Sequence, residues 1–177
     1  LEFLVMSGME LPRAVMMCIP EPWENNPSMS KKKKDFYAYN ATVMEPWDGP
    51  ASILFSDGEL MGAVLDRNGL RPSRYYITKD SYLILSSEVG SLDVPTEDIV
   101  VKDRLRPGKM LLVDTKKGVL INDDELKDYY AQKEPYGEWL DSHLTYLKDL
   151  KIPNERVEVI SDEKLETLQT AFGYKYE

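Results

Sequence analysis

The sequence predicts an α+β protein built around antiparallel sheet, and two observations carry that expectation. Between residues 51 and 121, short apolar runs are separated by turn dipeptides, and connections that short join strands only in antiparallel pairs. On either side of this block the apolar residues recur at helical spacing instead. Helices therefore precede and follow the strands rather than alternate with them.

Leu1-Glu2-Phe3-Leu4-Val5-Met6 has helical spacing with no N-cap before it, so the chain reads as starting inside a helix, as a piece of something longer would. Ser7-Gly8 ends that helix. Residues 13–19 are apolar enough for a buried helix closed by Pro20 and Pro22, and Trp23-Glu24-Asn25-Asn26-Pro27 is a loop. Four lysines at 31–34 lead into a helix through Met44. They are read as a solvated face rather than a phosphate-binding patch, because no second basic segment lies nearby.

From Ala51 the period changes. Residues 51–55 and 60–65 flank Asp57-Gly58, residues 74–78 and 82–86 flank Lys79-Asp80-Ser81, and residues 109–114 and 119–121 flank Lys116-Lys117-Gly118. Three hairpins, six strands in all, are expected. Asp123-Asp124-Glu125 then opens a helix with acids where its dipole favours them. Leucines and aromatics recur to Leu147 in one helix, or in two broken at Pro135, and Ile152-Pro153 stops the pattern. Residues 161–172 resume it, with Leu165 and Leu168 on one face.

With 177 residues, 42% of them hydrophobic, the chain has material for one core and a short appendage. The 31 acids against 22 bases give a net charge of -9, which argues against nucleic acid as a partner. The acidity is uneven: residues 122–177 hold 14 acids and 7 bases and carry -7 of that charge, so the composition shift marks a boundary near Asn122. Cys18 has no cysteine to pair with, which fits a reducing compartment, and with His143 as the only histidine no zinc-ligand spacing exists. No apolar run approaches the roughly 20 residues of a membrane span. No secretory leader opens the chain either, and a soluble, cytoplasmic protein without membrane partners is expected.

The densest constellation is Leu65-Asp66-Arg67-Asn68-Gly69-Leu70-Arg71-Pro72-Ser73-Arg74, between two predicted strands. Asn68-Gly69 permits positive φ, Pro72 fixes the backbone, and three arginines alternate with them. Asp66, Arg67, Asn68, Gly69 and Arg71 are the candidate site residues. Two readings stand side by side: a rim loop that holds an anion or carboxylate through an arginine fork, and a loop locked internally by Asp66 pairing with Arg71 or Arg74. Ser86-Ser87-Glu88-Val89-Gly90-Ser91-Leu92-Asp93 reads as turn chemistry, since no histidine is near in sequence to act as a base. Met44-Glu45-Pro46-Trp47-Asp48-Gly49-Pro50-Ala51 reads as a rigid helix-to-strand connection. Cys18 reads as an inert core thiol.

Together these signatures resemble the C-terminal half of the glutaminase domain of glutamate synthase large subunits. The carrying residues are Glu45-Pro46-Trp47-Asp48-Gly49-Pro50-Ala51, Asp66-Arg67-Asn68-Gly69-Leu70-Arg71-Pro72, Ser87-Glu88-Val89-Gly90 and Pro107-Gly108-Lys109-Met110, with Trp23-Glu24-Asn25-Asn26 upstream and Gln169-Thr170-Ala171-Phe172-Gly173-Tyr174 near the end. The resemblance implies part of an N-terminal-nucleophile hydrolase fold, antiparallel sheets stacked between helical layers. It assigns 1–150 to the class-II glutaminase domain and 151–177 to a linker or the start of the family's central domain. It implies glutamine hydrolysis with ammonia passed on to make two glutamates from glutamine and 2-oxoglutarate, with FMN and an iron–sulfur cluster held elsewhere in the parent.

In that family the nucleophile is an N-terminal cysteine whose own α-amino group is the base, and an early Asn-Gly pair forms the oxyanion hole. The resemblance places Leu1 after all of these, so no catalytic, cofactor or metal residue is expected here, and the isolated chain is expected to be inactive. The remainder of the large subunit is the expected partner. A glutaminase half from another class-II amidotransferase such as amidophosphoribosyltransferase, and a binding domain that has lost its nucleophile, are the alternatives.

Overall fold

Turn chemistry and strand patterning place a sheet at the centre of the chain, and the computed structural model, which describes residues 1–151 and 160–174, shows two. Strands β1 (Ser52–Ser56), β2 (Leu60–Leu65), β6 (Met110–Asp114) and β7 (Val119–Ile121) form one antiparallel sheet in the order β1-β2-β6-β7. The second, ordered β4-β3-β5, contains β3 (Arg74–Thr78), β4 (Leu83–Ser86) and β5 (Ile99–Arg104). All three expected hairpins form in antiparallel register.

The expectation of six strands is corrected by β5, which pairs with β3 along its length. Only its first three residues, Ile99-Val100-Val101, are apolar, and Lys102-Asp103-Arg104 resemble a loop. Most of β5 is exposed at a sheet edge, where charged residues are tolerated and blunt further pairing.

Helices cover one face of the first sheet. They are α1 (Glu2–Met6), α2 (Leu11–Cys18), α3 (Lys31–Val43), α4 (Asp123–Lys133) and α5 (Tyr136–His143). Pro12 in the first turn of α2 gives up a hydrogen-bond donor that the helix does not use, and nearly the whole of α2 is buried. Ser30 caps α3 and Asn122 caps α4, each accepting from backbone amides one turn ahead. Pro135 separates α4 from α5, so residues 123–143 form a helix pair.

Alternation along the strands divides the core in two. Val64, Met110 and Leu112 point toward the helices, where Phe36 of α3 and Tyr136 of α5 meet edge to face at 5.3 Å. Ala63, Leu65 and Leu111 point the other way, onto Tyr75, Leu83 and Leu85 of the second sheet. A helical layer and two stacked sheets result, in an α+β class consistent with a class-II glutaminase domain. Gly62 is small because a Cβ there would lie 2.4 Å from the Phe55 ring, which crosses it to reach the core.

The chain divides into two units, Leu1–Leu144 and Thr145–Glu177. Within the second, a 3₁₀ turn spans Leu147–Asp149, and helix α6 (Asp162–Ala171) is capped by Ser161 and carries acids in its first turn. The expected stop at Ile152-Pro153 lies outside the described residues. No helix among the described residues is long and apolar enough to cross a membrane.

Candidate functional site

Strand β2 ends in the core with Leu65, and the next side chain organises everything around it. Asp66 is 7% exposed and accepts four backbone amides. One carboxylate oxygen takes Ala51 N at 3.2 Å and Leu70 N at 3.3 Å, and the other takes Asn68 N and Gly69 N at 3.1 Å each. Burial pushes its pKa up, but the four amides outweigh burial and hold it below the ordinary carboxylate value. The loop is therefore locked internally, by backbone donors rather than by Arg71 or Arg74.

Gly69 holds φ +63°, a conformation that side-chain-bearing residues rarely adopt, and a Cβ there would lie 2.4 Å from Pro107 Cγ. On its far side the loop is continuous with buried Ser73, whose carbonyl accepts Leu105 N at 2.9 Å. Ala51 and the 105–107 turn thus clamp it at both ends.

The turn carrying Pro107 has its own support. Lys127 of α4, its side chain 4% exposed, donates to the Gly108 carbonyl at 2.5 Å and pairs with Asp123 at 3.0 Å and Glu21 at 3.3 Å. Tyr37 OH donates to the other oxygen of Glu21 at 2.9 Å, and Asp123 accepts Met110 N at 2.8 Å. Burial, with Glu21 alongside, holds the Tyr37 hydroxyl protonated well above its ordinary range. Burial disfavours the charge on neighbouring Lys109, but Asp124 and Asp123 outweigh it and raise its pKa. This buried ionic network was not read from the sequence. Its only local sign is the i, i+4 spacing of Asp123 and Lys127.

An open cleft of about 680 Å³ runs beside the loop, between residues 19–27 on one wall and residues 45–48 with Arg67 on the other. The strand entry is pinned where Trp47 N donates to the Cys18 carbonyl at 2.8 Å. Trp23, on the opposite wall, stacks on Tyr37 with ring centroids 6.4 Å apart. Arg67 pairs with Asp48 at 3.3 Å, both well exposed, a contact worth at most about 1 kcal/mol. Arg71 is exposed and makes no ion pair among the described residues. Of the five candidate residues, Asp66, Asn68 and Gly69 build the loop, Arg67 reaches the cleft, and Arg71 projects to solvent.

The remaining motifs are structural in detail. Ser86 Oγ takes the Ser91 hydroxyl at 2.7 Å and Glu88 N at 3.2 Å, a turn closed on itself. Cys18 is fully buried, which raises its thiol pKa, and His143 Nδ1 lies 3.1 Å from the Trp139 carbonyl within α5. Of the lysine run, Lys31 pairs with Asp35 and Lys33 with Asp128 of α4, so Lys33 also ties two helices together.

The family described as glutamine amidotransferases class-II matches residues 1–139. The chain is 51% identical over 176 residues to the glutamate synthase (NADPH) large chain of Bacillus subtilis, covering 99% of this chain and 11% of that one. It is 45% identical over 186 residues to the glutamate synthase (NADH) of Schizosaccharomyces pombe, covering all of this chain and 9% of that one. Against the ferredoxin-dependent glutamate synthase 2 of Synechocystis it is 48% identical over 142 residues, 79% of this chain and 9% of that one. The chain thus spans about a tenth of the length of these relatives.

Proposed function

Because the chain belongs to the class-II glutamine amidotransferases, we propose that it is part of the glutaminase domain of a glutamate synthase, which releases ammonia from glutamine for transfer to 2-oxoglutarate. One observation carries the choice of glutamate synthase within the family: the identity of 45% or more to two such enzymes runs the length of the chain, past residue 139 where the family match stops. Residues 1–150 are assigned to the glutaminase domain and 151–177 to the segment leading into the next.

The part played by these residues is support rather than bond-making. Covalent hydrolysis of an amide takes a nucleophile beside a base, with donors aimed at the developing oxyanion. Cys18, the one thiol here, is sealed in the core with its pKa raised. What the chain supplies is a rigid frame: Asp66 fixes the 66–72 loop against Ala51, the Lys127 network fixes the turn beneath Gly69, and the two together set one wall of the cleft. Arg67 is the cation at its rim. An iron–sulfur cluster needs several thiolates and this chain has one, so the cluster of the proposed parent would be held by other segments.

The test is Asp66→Asn in the full-length parent, with glutamine-dependent and ammonia-dependent glutamate formation measured separately. Loss of the first with retention of the second is expected. Equal loss of both, or of neither, would contradict a role confined to glutamine hydrolysis.

A further inference from the structure

The turn at Pro107-Gly108 touches two segments that lie far apart in sequence. Pro107 meets the 66–72 loop, where a Cβ on Gly69 would come within 2.4 Å of its Cγ. Gly108 meets the segment before Trp23, where a Cβ on it would come within 3.0 Å of Glu21 Cβ and 3.4 Å of Pro22 Cδ. Gly69 and Gly108 hold φ +63° and +65°, so each close approach is made at a backbone position that other residues adopt only under strain. Neither contact has room to spare.

Lys127 binds this turn and one of the two segments at once. Its ammonium donates to the Gly108 carbonyl and pairs with one oxygen of Glu21, while the other oxygen accepts the Tyr37 hydroxyl and Tyr37 stacks on Trp23. A continuous series of contacts therefore runs from Gly69 through Pro107, Gly108, Lys127, Glu21 and Tyr37 to Trp23. Glu21 and Trp23 stand on one wall of the cleft, and Arg67 of the 66–72 loop stands on the other. Tyr37, Gly108 and Lys127 are buried within this chain, so the series holds whatever else packs on the chain's surface. Close-packed groups transmit strain, and a contact at its limit on two sides passes a shift from one to the other.

We propose that the Pro107-Gly108 turn is a spacer that fixes the 20–23 segment relative to the 66–72 loop, and that Lys127 is the positioning residue that seats it. A change at Gly69 is then felt at Trp23. That the spacer serves glutamine hydrolysis rests on the function proposed above, whereas the coupling of the two segments does not.

The test is made in the full-length parent, with a trifluoromethyl-phenylalanine inserted in place of Trp23 as a fluorine NMR probe that keeps a ring beside Tyr37. Gly69→Ala and Lys127→Met are each expected to shift its resonance, although neither residue touches position 23. Leu70→Ala, which trims an exposed side chain in the same loop, is expected to leave it in place. A line at the position found in denaturant marks a variant that has not folded. Gly69→Asn, which tolerates the left-handed backbone yet still carries a Cβ, and Glu21→Gln, which weakens the seat with little change in bulk, then take the place of the first two. An unmoved line in the folded Gly69 and seat variants overturns the proposal, as does an equal shift from Leu70→Ala. Glutamine-dependent turnover supplies a second readout. Gly69→Asn and Glu21→Gln combined should lose within about twofold of the larger single loss, because both release one spacer. Losses that multiply would make them independent supports and overturn it. An unsubstituted parent without glutamine-dependent turnover would sink the proposed function, and the fluorine line would still decide the spacer.

Discussion

Asp66 and Gly69 carry more of the site than the arginines beside them. Four amides converge on one largely buried carboxylate, so Asp66→Ala leaves donors without partners and is expected to cost about 1–3 kcal/mol in a denaturant titration. Because the folded pKa of Asp66 is depressed, its contribution is complete above the unfolded carboxylate value near 4 and is lost as pH falls through the folded one. The stability of the unsubstituted chain should therefore fall more steeply below about pH 4 than that of Asp66→Asn. Equal slopes would show that Asp66 is not the linked group. Gly69→Ala combines a left-handed backbone with a Cβ driven into Pro107, so it should lose about 2 kcal/mol or more, whereas Arg67→Ala should lose under about 1. A melting temperature unchanged by Gly69→Ala would contradict the clamp.

At the scale of elements, the frame rests on α4 reaching across to the 106–109 turn. Lys127→Met strands the Glu21 and Asp123 carboxylates near a buried position, though Asp123 keeps Lys109, and should destabilise by about 3 kcal/mol. Amide exchange in the 105–109 turn should rise with it; a variant as stable and as protected as its parent would show the network to be dispensable. None of this was legible beforehand. Glu21, Gly108 and Lys127 are far apart in sequence, and each alone looks like a surface residue or a turn. The hairpins were legible because Asp57-Gly58 and Lys117-Gly118 state the chain reversals locally. Strand β5 was not, because half of it is charged and its partner is β3 rather than the next strand along. The 66–72 loop was located by its backbone specialists. What locks it stays open in the sequence, which shows the arginines as charges, whereas the backbone amides that converge on Asp66 become visible only once the chain is folded.

For the molecule as a whole, residues distributed from α2 to α4 hold one loop and one cleft wall, and Cys18, the single thiol among them, is inert. On the function proposed above, these residues frame the site and the chain depends on the rest of its parent for catalysis. The relatives it matches are about nine to eleven times longer, and in the proposed enzyme glutamine chemistry requires segments beyond these. The most direct measurement is ammonia release from glutamine by the purified 177-residue chain, set against the full-length parent at equal concentration. Turnover by the parent and none above a buffer blank from the chain alone is the expected result. Turnover by the chain that disappears in Cys18→Ala would contradict it.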